Sequence, residues 1–92
     1  MKYTFQLWAG RHPIPGNPPT IFPGTVNPLD VLGLRDTADA AIPADADAVT
    51  LYITGLTVAA LAVVKVCVKR GIQLTAMHYD RDSNRYYPQR VC

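Results

Sequence analysis

The chain contains no glutamate; its seven acidic residues are all aspartates. No loop carries a pair of carboxylates placed for acid–base work. There is also no His/Cys cluster and no full Walker pattern, so hydrolysis by a metal-activated water finds no set of ligands. The only cysteines, Cys67 and Cys92, stand far apart. Cys67 lies inside an apolar segment and Cys92 is the last residue, so neither belongs to a metal-spaced group. We expect no metal and no cofactor. The longest apolar run is broken by Lys65 and Lys69 before it reaches the roughly 18 residues of a membrane span. The opening MKYTFQLWAG has one lysine and alternates like a strand rather than a signal peptide, so a cytoplasmic protein is expected. Internal repeats and low-complexity segments are missing too.

What is present is a 92-residue chain, 49% apolar and 17% charged. This suits one soluble domain, 1–92, with a single modest core. The net charge of +2 is unevenly spread. Residues 1–47 carry three basic against five acidic groups, net −2, and residues 48–92 six against two, net +4. That is too thin for duplex DNA, which calls for a denser basic stripe. A small anionic ligand fits better.

Residues 3–9 alternate Tyr3, Phe5, Leu7 and Ala9 against Thr4, Gln6 and Trp8, the period of a strand with one face in the core. The proline-rich GRHPIPGNPPTIFPG reads as an extended, irregular loop. Asn27-Pro28 reads as a helix start, with Asn27 as N-cap and a helix over 28–41 whose inner positions are Leu29, Leu32, Ala38 and Ile42; Gly33 is a weak point in it. Residues 48–53 form a second strand, apolar enough to be covered on both faces. Residues 57–70 are a helix, stopped by Lys69, Arg70 and Gly71. Its first three turns are apolar all round, which implies a partner chain over it. Residues 72–79 form a third strand and 85–91 a fourth, confined by Pro88 to a sheet edge. A right-handed crossover makes the second and third strands parallel. The fold class is therefore α/β: a Rossmann-like, mostly parallel sheet with an antiparallel C-terminal edge hairpin.

Ligands of such sheets bind beyond the carboxyl ends of the strands. With the first strand parallel to the other two, three loops meet there: Ala9-Gly10-Arg11-His12, Thr54-Gly55-Leu56-Thr57, and His78-Tyr79-Asp80-Arg81. Thr-Gly-x-Thr between strand and helix aims backbone N–H groups, two hydroxyls and a helix N-terminus at one point, a cradle for phosphate. Arg11 and Arg81 would neutralise charge, and His12 or His78 would assist proton transfer. Each residue also has a plainer role. Gly55 permits a tight turn and Thr57 caps a helix. Arg11 and His12 are solvated loop residues, His78 sits at the core edge, and Arg81 pairs with Asp80 and Asp82. Trp8 lies under a helix or stacks on a base, and Tyr86 and Tyr87 pack across the hairpin.

The segment LYITGLTVAALAVVKVCVKRGIQLTAMHYDRDSNRYYPQ resembles the C-terminal half of small, single-domain CARF-like proteins associated with type III CRISPR systems. The likeness covers about 40 of the 92 residues. It implies a homodimer that binds cyclic oligoadenylate, such as cyclic tetra-adenylate, across its two-fold axis. Some members are metal-independent ring nucleases and others only sequester the ring. By position, Thr54, Gly55, Leu56 and Thr57 would hold a ligand phosphate. Arg11-His12-Pro13 is similar to a triplet in one branch of these proteins. The chain departs from the larger sensors in having no effector nuclease domain, and its proline-rich insert, 13–23, has no counterpart in the pattern. The alternatives are a binding protein without chemistry and an interaction module using helix 57–70.

Overall fold

A computed structural model describes residues 1–8, 14–22, 24, 26–54 and 57–92. Five strands form one sheet: β1 (Lys2–Trp8), β2 (Thr20–Phe22), β3 (Ala48–Tyr52), β4 (Gln73–Asp80) and β5 (Arg85–Arg90), in the spatial order β2-β1-β3-β4-β5. The first four are mutually parallel and β5 runs antiparallel on the edge beside β4. The mostly parallel, Rossmann-like sheet and the antiparallel hairpin are as expected, and Pro88 does lie on an edge strand. One strand was not anticipated. Thr20-Ile21-Phe22 adds to the free edge of β1, a three-residue strand between prolines that read as part of the irregular loop.

Two helices, α1 (Val31–Ala41) and α2 (Thr57–Arg70), pack against each other over the same face of the sheet. Both follow from successive right-handed crossovers in one direction, β2 to β3 and then β3 to β4. The burial pattern agrees. Phe5, Leu7, Val49, Leu51 and Leu74 are buried on the helix side with Leu34, Ala38, Ile42, Ala59, Val63 and Cys67. Their strand neighbours Thr4, Thr50, Tyr52, Thr75 and Met77, which point to the opposite face, stay partly or fully exposed. This corrects two expectations. The strand at 48–53 carries helices on one face only, and Trp8, on the helix-free face, is not beneath a helix, although Gln6 on that same face is buried and its Nε2 donates to the Pro18 carbonyl at 2.6 Å.

α1 begins three residues later than its sequence suggested. Asn27 Oδ1 accepts from the Leu29 N–H (3.0 Å) and closes a turn, while Asp30 Oδ1 accepts from the Gly33 N–H (3.0 Å) and is the true N-cap. The expected inner face therefore fails in its first turns only. Leu29 and Leu32, expected inside, are 87% and 66% exposed, whereas Ala38 and Ile42 are buried as expected and Leu34 joins them. Gly33 has its reason here, because a Cβ at this position would lie 2.2 Å from the capping carboxylate. α2 has the expected bounds and ends on Gly71 at φ +68°, with the Ile72 N–H donating back to the Cys67 carbonyl at 2.8 Å. That is the glycine-closed helix end predicted from Lys69-Arg70-Gly71. No described helix is long and apolar enough to cross a membrane.

The C-terminus of α1 is fastened by a side chain from α2. Arg70 donates to the carbonyls of Ile42 (3.0 Å), Pro43 (2.5 Å) and Asp39 (3.4 Å) and pairs with the Asp39 carboxylate at 3.2 Å. The end of a helix exposes carbonyls with no partner of their own and carries partial negative charge, so one guanidinium answers both needs.

Candidate functional site

The carboxyl ends of β1, β3 and β4 do lie along one edge. Gln6 is level with Tyr52, and Tyr52 with Met77. Beyond Trp8 the chain turns back to β2 on one side, and beyond Thr54 it proceeds through α2 to β4 on the other. The gap between β1 and β3 is therefore the topological switch point, where open α/β sheets bind ligands.

At this point β1 and β3 are joined by a side chain. The Trp8 N–H donates to Thr54 Oγ1 at 3.2 Å, and the Thr54 hydroxyl donates to the Trp8 carbonyl at 2.5 Å. Backbone pairing between the two strands stops at Gln6–Tyr52, so the hydroxyl extends the ladder by one step after the strands diverge. Thr54 is buried, and its hydroxyl is engaged by backbone rather than presented to a phosphate. Thr57 is exposed at the first residue of α2. Gly10, Arg11, His12, Gly55 and Leu56 lie outside the described residues.

The third loop is carried past this edge. β4 continues three residues beyond Met77, and with β5 it forms a two-stranded ribbon that projects about 10 Å from the sheet. His78 stands at the base of the ribbon. Its Nε2 is 2.8 Å from Gln89 Oε1, so it donates to the amide oxygen, and its ring lies 5.4 Å from that of Tyr87. Arg81 is exposed in the ribbon's turn, clear of the switch point. The expected pairing of Arg81 with Asp80 and Asp82 does not form. Asp80 instead closes the turn, accepting from the Asp82 N–H (3.2 Å) and the Ser83 hydroxyl (2.9 Å). Asn84 at φ 54° completes the turn in the left-handed region that asparagine tolerates.

A concavity lies elsewhere, a cleft of about 800 Å³ between the C-terminal halves of α1 and α2, at the opposite edge of the sheet. Its lining mixes Arg35, Lys65 and Lys69 with Asp36 and Asp39, and its fourth cation, Arg70, is spent on the α1 carbonyls. Such a mixed lining selects no ligand of one sign. The cysteines are both free. Burial first, and the neighbouring Cys92 second, push the Cys67 thiol up to about 11, which makes it a packing residue rather than a nucleophile. Among the described residues no group of three or more His, Cys or Asp side chains converges as a metal site would require.

Pairing every second residue across the sheet reveals a feature that the linear pattern concealed. Tyr52, Tyr79 and Tyr86 meet on the helix-free face: Tyr86 lies edge-to-face with Tyr52 at 4.9 Å and with Tyr79 at 5.3 Å. Tyr86 was expected to pack across the hairpin, and against Tyr79 it does. Its hydroxyl is buried and has no hydrogen-bond partner among the described residues. Burial foremost, with the Tyr79 and Tyr52 phenols next, raises its pKa. A buried unpaired hydroxyl is a cost. Tyr86→Phe is therefore expected to raise stability by up to about 1 kcal/mol, read as a melting temperature higher by a few degrees; a lower melting temperature would mean that the hydroxyl has a partner in solution.

Comparison with protein-family models, with curated proteins and with solved structures found no match to this chain. What fold and site define is a class, an α/β domain with a one-sided, Rossmann-like mixed sheet and a tied switch point between β1 and β3.

Proposed function

We propose that this protein binds a cyclic oligoadenylate second messenger of type III CRISPR defence at the carboxyl edge of its sheet and opens the ring, as a cytoplasmic homodimer. One observation carries the proposal: β1, β3 and β4 end at a single edge, and the N-terminus of the 14-residue α2 starts from it. Backbone N–H groups and the helix dipole there favour an anion, in agreement with the resemblance carried by residues 51–89. In this account Gly10, Arg11 and the 54–57 turn hold phosphate. Thr54 acts chiefly by fixing the separation of the two loops, through its bonds to Trp8. Ring opening needs no metal. The ligand's 2′-oxygen attacks the adjacent phosphorus, the P–O5′ bond breaks, and a 2′,3′-cyclic phosphate forms. In-line positioning and charge neutralisation by Arg11 lower the barrier, and His12 or His78 carries the proton from the 2′-hydroxyl to the leaving oxygen; Arg81, out in the ribbon's turn, is left without a part in the step.

A second copy is favoured by α2 itself, where Leu61 and Val68, seven residues apart on one side of the helix, are 57% and 61% exposed. Those side chains also suit the alternative of an interaction module without messenger chemistry. Incubation with cyclic tetra-adenylate in EDTA separates the possibilities. Linear products are expected. A tightly bound but intact ring would leave a sequestering protein, and failure to bind at all would overturn the messenger account in favour of the module.

A further inference from the structure

We infer that the outer surface of the helix layer is a two-fold interface in which α1 of one copy packs on α2 of another. Opposite its buried side, each helix shows solvent one stripe at helical spacing. On α1 the stripe is Leu32, Asp36 and Asp39, with Leu29 just ahead of the helix, and on α2 it is Leu61, Lys65, Val68 and Lys69. All of these residues are exposed. Their apolar members therefore bury little within a single copy, and both stripes place a leucine before the charges.

The charges decide which helix meets which. α2 carries Lys65, Lys69 and Arg70 and no acidic residue. α1 with its N-cap carries Asp30, Asp36 and Asp39 against Arg35 alone. Arg70 and Asp39 meet within the chain, whereas Asp36, Lys65 and Lys69 enter no ion pair among the described residues. Asp36 and Asp39 line one cleft with Lys65 and Lys69, so the acidic and basic groups stand at about the same height along the two helices. The helices also run in one direction, since each leads from one parallel strand to another.

Two copies can stack these layers about an axis across the helices or an axis along them. An axis across the helices puts α1 on α1 and α2 on α2, which brings aspartates to aspartates and lysines to lysines. An axis along them puts α1 on the α2 of the other copy and keeps every residue at its own height. Asp36 then faces Lys65 of the partner subunit and Leu32 faces Leu61 of the partner subunit, each contact being made twice by symmetry. Like charges across an interface are heavily penalised, so the charges select this second arrangement. Crossover helices run back along the strands they connect, so the same axis carries both carboxyl edges to one end of the pair. The layer measures roughly 20 Å along the helices and 20 Å across them. That is small for a specific interface, and association in the micromolar range is expected. The inference rests on the second copy of the proposed function but not on its ligand.

Charge reversal tests the pairing, by sedimentation velocity across the micromolar range without nucleotide. The wild type is expected to dimerise. Asp36→Lys sets lysine against lysine at both symmetric contacts, Lys65→Asp sets aspartate against aspartate, and each should weaken association roughly tenfold or more. Both positions are exposed, so an unchanged melting temperature shows each variant to be folded. Mixing the two variants should restore a one-to-one heterodimer, and the two substitutions in one chain should restore the homodimer. Leu61→Asp should leave a monomer. A wild type that stays monomeric overturns the inference, as do folded variants that associate like the wild type or a mixture that does not pair. An effect of Lys65→Asp without one of Asp36→Lys would seat α2 on α2 and overturn the pairing. A monomer that binds cyclic tetra-adenylate overturns this interface and keeps the carboxyl-edge site, and a dimer that binds no ring does the reverse.

Discussion

Arg70→Ala is expected to lose about 3 kcal/mol of folding stability, from hydrogen bonds to a charged donor worth roughly 1.5–3 kcal/mol each, non-additively. The guanidinium serves three carbonyls and one carboxylate at the C-terminus of α1, and only about a fifth of its side chain is exposed. Truncation leaves the Ile42 and Pro43 carbonyls part-buried without a donor, and it removes the positive charge from a helix C-terminus. Arg70→Lys keeps the charge but cannot span the fan of acceptors, so it should recover less than half of the loss. Urea unfolding gives the measure, with a lower midpoint at unchanged slope. A domain of this size has roughly 5–14 kcal/mol in all, so a loss of that order removes a large fraction of its stability. Wild-type stability in Arg70→Ala would mean that α1 and α2 are held by their apolar contact alone.

Thr54→Val should cost about 2 kcal/mol, because an isosteric side chain leaves the Trp8 N–H and carbonyl without partners at a part-buried site. Thr54→Ser retains the hydroxyl and should stay within about 0.5 kcal/mol of wild type. The pair also decides what the first threonine of Thr-Gly-Leu-Thr does. If Thr54→Val unfolds earlier while ligand affinity, measured below its transition, falls only slightly, the hydroxyl works for the scaffold. Full stability with lost affinity would return it to the ligand.

These residues mark where sequence pattern was informative and where it was not. Periodicity, length and a glycine stop were enough for α2, because its ends depend on local chemistry that Lys69, Arg70 and Gly71 spell out. The edge position of β5 was legible in Pro88 for the same reason. The start of α1, and with it Leu29 and Leu32, was misplaced because two capping residues, Asn27 and Asp30, stand three apart and each caps something: one a turn, the other the helix. β2 was missed because three residues between prolines are too few for a period. The one-sidedness of the sheet is not a local property at all. It follows from the direction of successive crossovers, and only with it known do Trp8, Tyr52, Tyr79 and Tyr86 become neighbours. At the candidate site, the alignment of the β1, β3 and β4 ends along one edge could be anticipated from parallel strands. The use of the Thr54 hydroxyl as an extra rung between β1 and β3, and the projection of Arg81 away on a ribbon, depend on strand register, which alternation of residue types does not encode.

The central claim is that an anionic nucleotide binds at the carboxyl edge, by the switch point. Its most direct test is an amide chemical-shift map of the protein titrated with cyclic tetra-adenylate. The account predicts the largest shifts at Trp8, Thr54 and the first turn of α2 from Thr57, with the cleft at Arg35, Lys65 and Lys69 unmoved. Shifts confined to that cleft, or none at saturating ring, would contradict it.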